Sequence, residues 1–332
     1  MTLDLRQLRH LLALAGHGSF GRAAAALGMT QPALSRSMQS LERQVGAALF
    51  DRSKSGVTPT DVGRVLILRA RTLVQAADEL DREILQRKVP GSGHVSLGVG
   101  PYPGETIVPA ALPRFVATHP LVRVRVLVRG DWDELLRRLR ARELDLLVCE
   151  LSTLDGEHDL EVEPLLPHAL FLVARRGHPL GSRADVRLAL MFAYPLLALS
   201  RIPPRVLGPM QATVQEPDTR RPGRPFPAIE LASLAAMKRL LANSDAIAPL
   251  TLPCVADELE DGTLKVLRTE SWLSTHYGLV TLKGQPLSAA ARALLEQLRE
   301  AEAAIVREEA TLIARHAPAE KTPKRRRKRN AG

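Results

Sequence analysis

Thr30, Gln31, Pro32, Ser35, Arg36 and Gln39 crowd into ten residues, in the stretch "TQPALSRSMQ". A glutamine amide can grip adenine through two hydrogen bonds, an arginine can grip guanine, and a hydroxyl can serve a base or a phosphate. At about 100° per residue, Gln31, Pro32, Ser35, Arg36 and Gln39 fill an outward arc of about 140°, apart from the arc of about 60° that holds Leu34, Met38, Leu41 and Val45. One face can anchor while the other is presented. A solvated helix also shows a polar face, so the neighbouring elements must decide what this one is for.

Leu5, Leu8, Leu12 and Ala15 recur at helical spacing, which predicts a first helix over about 5–15. "GHG" at 16–18 stops it, and Ser19 can cap a short second helix through Leu27. Thr30 stands where it can cap the third helix, with Pro32 in the first turn, where a missing N–H costs little. A short helix, a glycine turn and a polar-fronted helix make a helix-turn-helix over about 19–45, whose second helix suits a major groove. "ALFDRSKSGVTPT" (48–60) then predicts two short strands around a turn, a wing that carries Arg52 and Lys54 toward a phosphate or the minor groove.

Over Ser19–Gly63 the chain resembles the DNA-binding domain of LysR-type transcriptional regulators. The resemblance rests on the Ala-Ala pair of the second helix, Thr30-Gln31-Pro32-Ala33, Ser35, Leu41-Glu42, Val45-Gly46, Leu49-Phe50, Arg52, Pro59-Thr60 and Gly63. It implies base-edge contacts from Gln31, Pro32, Ser35 and Arg36, a phosphate contact from Thr30, and a flanking-groove contact from Arg52. The chain has Ser55 where many members carry a second wing arginine. "SGVTPT" is similar to the galactose-binding-protein-regulator branch.

Beyond Thr60, Val62, Leu66, Ala70, Leu73, Ala77, Leu80 and Ile84 step by threes and fours. This near-heptad seam predicts one long helix ending before "PGSG" (90–93). The stripe could pack on its own module; the resemblance implies instead that it pairs with a second chain. Two reading heads on a two-fold axis would fit a near-palindromic site.

From Val95 strands and helices alternate: "VSLGVG", a Pro/Gly loop and a helix through Ala117, in which Pro113 implies a kink or a late start, then "VRVRVLVRG", "WDELLRRLRARE" and "LDLLVCEL". That order implies parallel strands with crossover helices. A second set runs from "HALFLVARRGHPL" to "DAIAPL", and "YGLVTL" with a helix from Leu287 to about Val306 would return to the first. Two such lobes resemble the family's effector domain, itself similar to periplasmic solute-binding proteins. The expected architecture is an N-terminal all-α winged helix-turn-helix (1–60), a linker and dimerisation helix (61–90), and a two-lobed α/β effector domain (91–312). Lobe I would take about 93–161 and 268–312, and lobe II about 162–267. Ligands of open α/β sheets bind beyond the carboxyl ends of the strands, which puts Tyr102, Thr106, Asp131, Ser200, Arg201 and Pro249 at the cleft. Tyr102 and Arg201 would orient a polar or anionic ligand, and Asp131 would bond hydroxyls.

The net charge of +10 sits at the two ends. Residues 1–62 carry +3 and residues 321–332 carry +7, leaving a neutral middle, as expected of a polyanion-binding module joined to a body with another task. The tail, 313–332, ends in "KTPKRRRKRNAG", expected to be disordered and able to act as a non-specific DNA arm. Aromatics at 3% argue against a single-strand stacking surface. Two cysteines without a C-x-x-C pair, no signal-peptide layout and no apolar run of bilayer length predict a soluble cytoplasmic protein.

An enzyme is the main rival class. "GVGPYPG" (98–104) follows a strand, but its G-x-G-x-x-x-G spacing and prolines depart from the dinucleotide fingerprint. The histidines show no ligand spacing, no G-x-S-x-G occurs, and His168 and His178 are read as structural. Cys149 and Cys254, 105 positions apart, are poor candidates for a redox pair, and Cys149 is read as a buried filler. The expected partners are double-stranded operator DNA, a small-molecule effector and further copies of the chain as homodimer or homotetramer, with RNA polymerase a further candidate. No catalysis, cofactor, metal or membrane is expected.

Overall fold

The computed structural model describes residues 3–53, 56–88, 91–154, 156–183, 186–199, 202–214 and 226–317. Lys54, Ser55, Ser200, Arg201 and residues 318–332 of the tail lie outside these, as does the side chain of Arg52, whereas residues 313–316, expected to be disordered, end the last helix. The chain divides near Gly93 into two compact units.

In the first unit, α1 (Leu5–His17) starts at Asp4, whose carboxylate accepts the Arg6 N–H at 2.9 Å. It is followed by α2 (Phe20–Ala26) and α3 (Gln31–Val45). The strands β1 (Phe50–Ser53) and β2 (Gly56–Pro59) pair antiparallel, with Arg52 opposite Val57. The core gathers Leu8, Leu11 and Leu14 of α1, Ala23 and Ala24 of α2, and Leu34, Met38 and Leu41 of α3. Each large α3 side chain buried there contributes roughly 1.5–3 kcal/mol, so the apolar stripe fixes which face of α3 remains outside.

Thr30 and Ser19 occupy the N-cap positions with extended backbone, yet neither hydroxyl makes the expected capping bond. A cap hydroxyl reaches the N–H of the second or third helical residue; Pro32, at the second, has none, and Thr30 does not bond the Ala33 N–H at the third either.

The helix α4 (Asp61–Lys88) follows Thr60, whose hydroxyl donates to the Ala48 carbonyl at 2.8 Å and accepts the Gly63 N–H at 3.0 Å. Gly63 lies so close to β1 that a Cβ would fall 2.0 Å from the Leu49 carbonyl oxygen. The face of α4 carrying Ile67, Ala70 and Val74 is buried on the helix-turn-helix. Ala70 therefore belongs to the module core, not to a free seam. Of the rest of the predicted stripe, Leu66 is partly buried against the same core and Ala77 is half-buried, while Val62, Leu73, Leu80 and Ile84, about 100° further round, are exposed, joined by Val65.

The second unit opens with β3 (Gly93–Val99), the short α5 (Pro101–Glu105), α6 (Ile107–Thr118), β4 (Val122–Val128), α7 (Trp132–Arg140), β5 (Leu146–Glu150) and β6 (Leu160–Pro164). It continues through β7 (His168–Arg175), α8 (Leu188–Met191), β8 (Leu197–Leu199), α9 (Pro204–Val214), β9 (Ile229–Leu231), α10 (Leu234–Ala242), β10 (Ala248–Leu250) and α11 (Ala256–Glu260). It closes with β11 (Leu264–Thr275), β12 (Tyr277–Leu282) and α12 (Ala289–His316). The first-lobe sheet has the order β4-β3-β5-β12-β6, and in the second lobe β10-β7-β11 stands beside a β8-β9 pair.

The expectation of parallel strands holds only in part. The pairs β3–β5 and β8–β9 are parallel, whereas β12 runs antiparallel to β5 and β6, and β7 antiparallel to β10 and β11. β11 leads directly into β12 through His276, passing from the second-lobe sheet to the first-lobe sheet. Sheet pairing also places β6 in the first lobe and all of β11 in the second. The chain thus crosses at 165–167 and at His276, rather than at 161/162 and 267/268.

Pro113 sits inside α6, which begins at Ile107, so the helix does not start late. Helix α12 outruns its predicted end near Val306; Leu294 and Leu298 enter the first lobe's core and Leu312 the second's. Among the described residues no helix is long and apolar enough to cross a membrane.

Candidate nucleic-acid interface and effector cavity

The outer face of α3 is built by subtraction. Leu34, Met38 and Leu41 are at most 1% exposed, which leaves Gln31, Pro32, Arg36 and Gln39 in solvent and Ser35 half-buried. Thr30 is exposed beside them, its hydroxyl unused by the helix. The helix is anchored at two points, near its middle and near its C-terminal end. The His10 Nδ1 of α1 lies 2.8 Å from the Ser37 hydroxyl, and the Glu42 carboxylate accepts the Leu49 N–H at 2.8 Å, tying α3 to the start of β1. This surface can donate and accept hydrogen bonds across a groove. Of the wing residues named from sequence, Arg52 has a described backbone only and Lys54 lies outside the described residues.

The second unit holds a cavity of about 450 Å³, counted with its open mouth, between the lobes. Tyr102 of α5, Trp132 of α7, Glu150 at the end of β5 and Tyr277 of β12 come from the first lobe. Leu199, Ile202, Val206 and Pro249 come from the second. The wall is mostly apolar with one polar end, as small-molecule sites usually are. There the buried Glu150 carboxylate is 2.9 Å from Arg205 Nη2 and accepts the Thr275 hydroxyl at 2.9 Å and the His276 N–H at 3.3 Å.

Two contacts tie the lobes across this cavity. One is the Glu150–Arg205 pair. The other runs from the Tyr102 hydroxyl to the Pro249 carbonyl at 2.6 Å. Burial holds the Tyr102 phenol well above its ordinary range, so it stays a donor. A third polar group lies deeper. His168, at the start of β7, is buried between Glu309 at 2.7 Å and Glu302 at 2.9 Å, both on α12. Burial opposes its charge, but the two carboxylates win and lift its pKa to about 9. It is a structural residue, as is His178, whose ring accepts the Leu180 N–H.

Of the cleft residues named from sequence, Tyr102 and Pro249 line the cavity together. Thr106 lines a smaller neighbouring cavity and donates to the Tyr102 carbonyl at 3.0 Å. Asp131 is exposed, and its carboxylate accepts the Asp133 and Glu134 N–H groups at the start of α7; it caps the helix rather than facing the cavity. Ser200 and Arg201 lie outside the described residues. Sequence reasoning missed Trp132, Glu150, Arg205 and Thr275. One signal was available for Glu150: an acidic residue closing the otherwise apolar run "LLVC" needs a partner.

The loop 98–104, the dinucleotide candidate of the enzyme reading, is filled by the protein itself. A Cβ on Gly100 would fall 1.9 Å from the Trp132 ring. Both cysteines are buried, Cys149 in the first lobe's core and Cys254 in the second's, and burial pushes both thiols up to about 12. Neither offers the exposed thiolate that oxidant sensing needs.

Residues 5–64 match the family model of the bacterial regulatory helix-turn-helix protein, lysR family, and residues 89–303 match the LysR substrate binding domain. The chain is 41% identical over 296 residues to the SDS degradation transcriptional activation protein of Pseudomonas sp. (strain ATCC 19151), covering 88% of this chain and 94% of that one. It is 30% identical over 306 residues to the HTH-type transcriptional regulator GbpR of Azospirillum brasilense, covering 90% and 86%. Among solved structures, a full-length OxyR variant from Pseudomonas aeruginosa superposes with a TM-score of 0.62 at 22% identity, over 90% of this chain and 95% of that one. Full-length CbnR complexed with its target DNA gives 0.62 at 17% identity, over 90% and 100%. These two likenesses speak for the fold.

Proposed function

The chain belongs to the LysR family of bacterial helix-turn-helix regulators, and from that premise we infer how its residues divide the work. It is a DNA-binding transcriptional regulator with an effector-binding domain. Gln31, Pro32, Ser35, Arg36 and Gln39 read base edges of an operator. Thr30 holds a phosphate through the hydroxyl that the helix leaves unused, and Arg52 and Lys54 reach the flanking groove. The observation that carries this reading is the exposed polar front of α3 over a fully buried apolar back.

The chain acts by binding, without catalysis or a cofactor, in the cytoplasm. The exposed stripe Val62, Leu73, Leu80 and Ile84 supports pairing of α4 with a second copy as the first step to a dimer or tetramer. The effector occupies the inter-lobe cavity, with Tyr102 and Pro249 in its wall and Thr106 behind them; Ser200 and Arg201, outside the described residues, are assigned to its binding from their place in the sequence alone. The relative named for SDS degradation and the apolar wall with one polar end both favour an amphiphile with an alkyl portion as effector. RNA polymerase is a natural further partner of an activator.

Footprinting on the DNA flanking the chain's own gene, repeated across a panel of metabolites and alkyl amphiphiles, tests the whole. A protected site whose extent changes with one compound is expected. Protection of no duplex over competitor at moderate ionic strength would refute it.

A further inference from the structure

We propose that the effector presents an uncharged hydroxyl, as a long-chain primary alcohol does, and that the cavity discriminates against the same alkyl chain carrying an anionic sulfate or carboxylate head. This deepens the reading of the cavity as the effector site and rests on it.

The polar end decides the matter by charge. Its cation among the described residues, Arg205, is already engaged: Nη2 lies 2.9 Å from Glu150 Oε1 and 3.2 Å from Oε2. Glu150 is 2% exposed and is held in place by the Thr275 hydroxyl and the His276 N–H. The pair carries no net charge. An anionic head drawn to Arg205 would therefore meet the Glu150 carboxylate at hydrogen-bond range, in an apolar surround where like charges are screened least. Breaking the pair to admit the anion would leave a buried carboxylate without its cation, the costliest outcome for such a group.

A hydroxyl meets none of these penalties, because it both donates and accepts. Arg205 Nε is buried and has no hydrogen-bond partner among the described residues. The Tyr277 hydroxyl in the same wall is buried without a hydrogen bond of ordinary geometry, Thr275 being beside it. A ligand oxygen can accept from either group while its proton goes to the Glu150 carboxylate. The alkyl chain then runs over Leu170, Leu199, Ile202 and Val206. The discrimination thus follows from which protein group already occupies the guanidinium.

Calorimetric titration of the full-length protein with 1-decanol and with decyl sulfate, both below micelle-forming concentration, tests this. Wild type should bind the alcohol at least tenfold more tightly. Glu150→Gln removes the competing charge and should reverse the order, with the sulfate gaining at least tenfold; its circular dichroism and operator binding report whether it folds. Ile202→Trp, which narrows the cavity, should weaken both ligands together. Preference of the wild type for the sulfate would overturn the proposal whether or not the Glu150 variant folds. An unchanged ratio in folded Glu150→Gln would also overturn it. If both ligands bind Ile202→Trp as they bind wild type, the cavity itself is not the effector site, and the reading on which this proposal rests falls first.

Discussion

The Tyr102 hydroxyl donates to the Pro249 carbonyl at 2.6 Å, and these residues stand on opposite lobes, 147 positions apart. The Tyr102 ring also packs against the apolar cores of both lobes. One side chain thus links the two lobes at the wall of the cavity, where an effector can strengthen or replace the link.

Tyr102→Phe keeps the ring and removes the bond. It leaves the buried Pro249 carbonyl short of a donor, which costs about 1–3 kcal/mol. Urea unfolding should show a loss of that size. An unchanged midpoint would mean that the lobes are not tied here in solution.

His168 gives the effector domain a pH dependence of predictable sign. Its folded pKa, about 9, lies above the unfolded value of 6.5. The folded state therefore binds the proton more tightly. The resulting stabilisation, on the order of 3 kcal/mol, is fully present below about pH 6.5 and is lost as pH rises through about 9. Chemical denaturation of wild type and His168→Gln at pH 6, 8 and 10 should show the two curves converging toward high pH. Parallel curves would show that the carboxylates of Glu302 and Glu309 do not hold the imidazolium.

Gly63→Ala should damage the DNA-binding module without touching the reading face. The added methyl carbon would fall 2.0 Å from the Leu49 carbonyl oxygen, backbone that cannot step aside cheaply. Crowding of this kind costs about 1–3 kcal/mol and sometimes more. A melt of wild type and variant, read alongside operator affinity, should show the module's stability and DNA binding falling together.

The linker stripe can be tested by charge. Leu73→Glu with Leu80→Glu puts two carboxylates where an α4 partner would bury leucines, while Ile67, Ala70 and Val74 still pack on the module. Sedimentation should show a dimer or larger for wild type and a folded monomer for the double variant. An unchanged oligomer would move the interface elsewhere.

How much of this could be read from sequence differs between the units. The α3 face was legible because a single helical period separates Leu34, Met38 and Leu41 from Gln31, Arg36 and Gln39, and nothing distant is needed to orient them. The unused Thr30 hydroxyl was not: Pro32 removes one of the two N–H groups a cap could hold, but the Ala33 N–H is still there for it to bond. In the effector domain the strand-end rule named Tyr102 and Pro249, which do meet. It could not supply Glu150 with Arg205, because pairing across 55 positions depends on how two lobes close. Asp131 stands at a strand end as well, but local N–H groups claim its carboxylate. The antiparallel return of β12 was hidden because an apolar run reads the same in either direction.

The central claim is that the front of α3 reads base pairs. Competition binding at fixed salt, wild type against Arg36→Ala, on the operator, on its single-base variants and on random duplex, tests it most directly. The account predicts a loss of about 1–3 kcal/mol on the operator, relaxed preference at one base pair, and little change on random DNA. An equal loss on every duplex, or none on any, would contradict it.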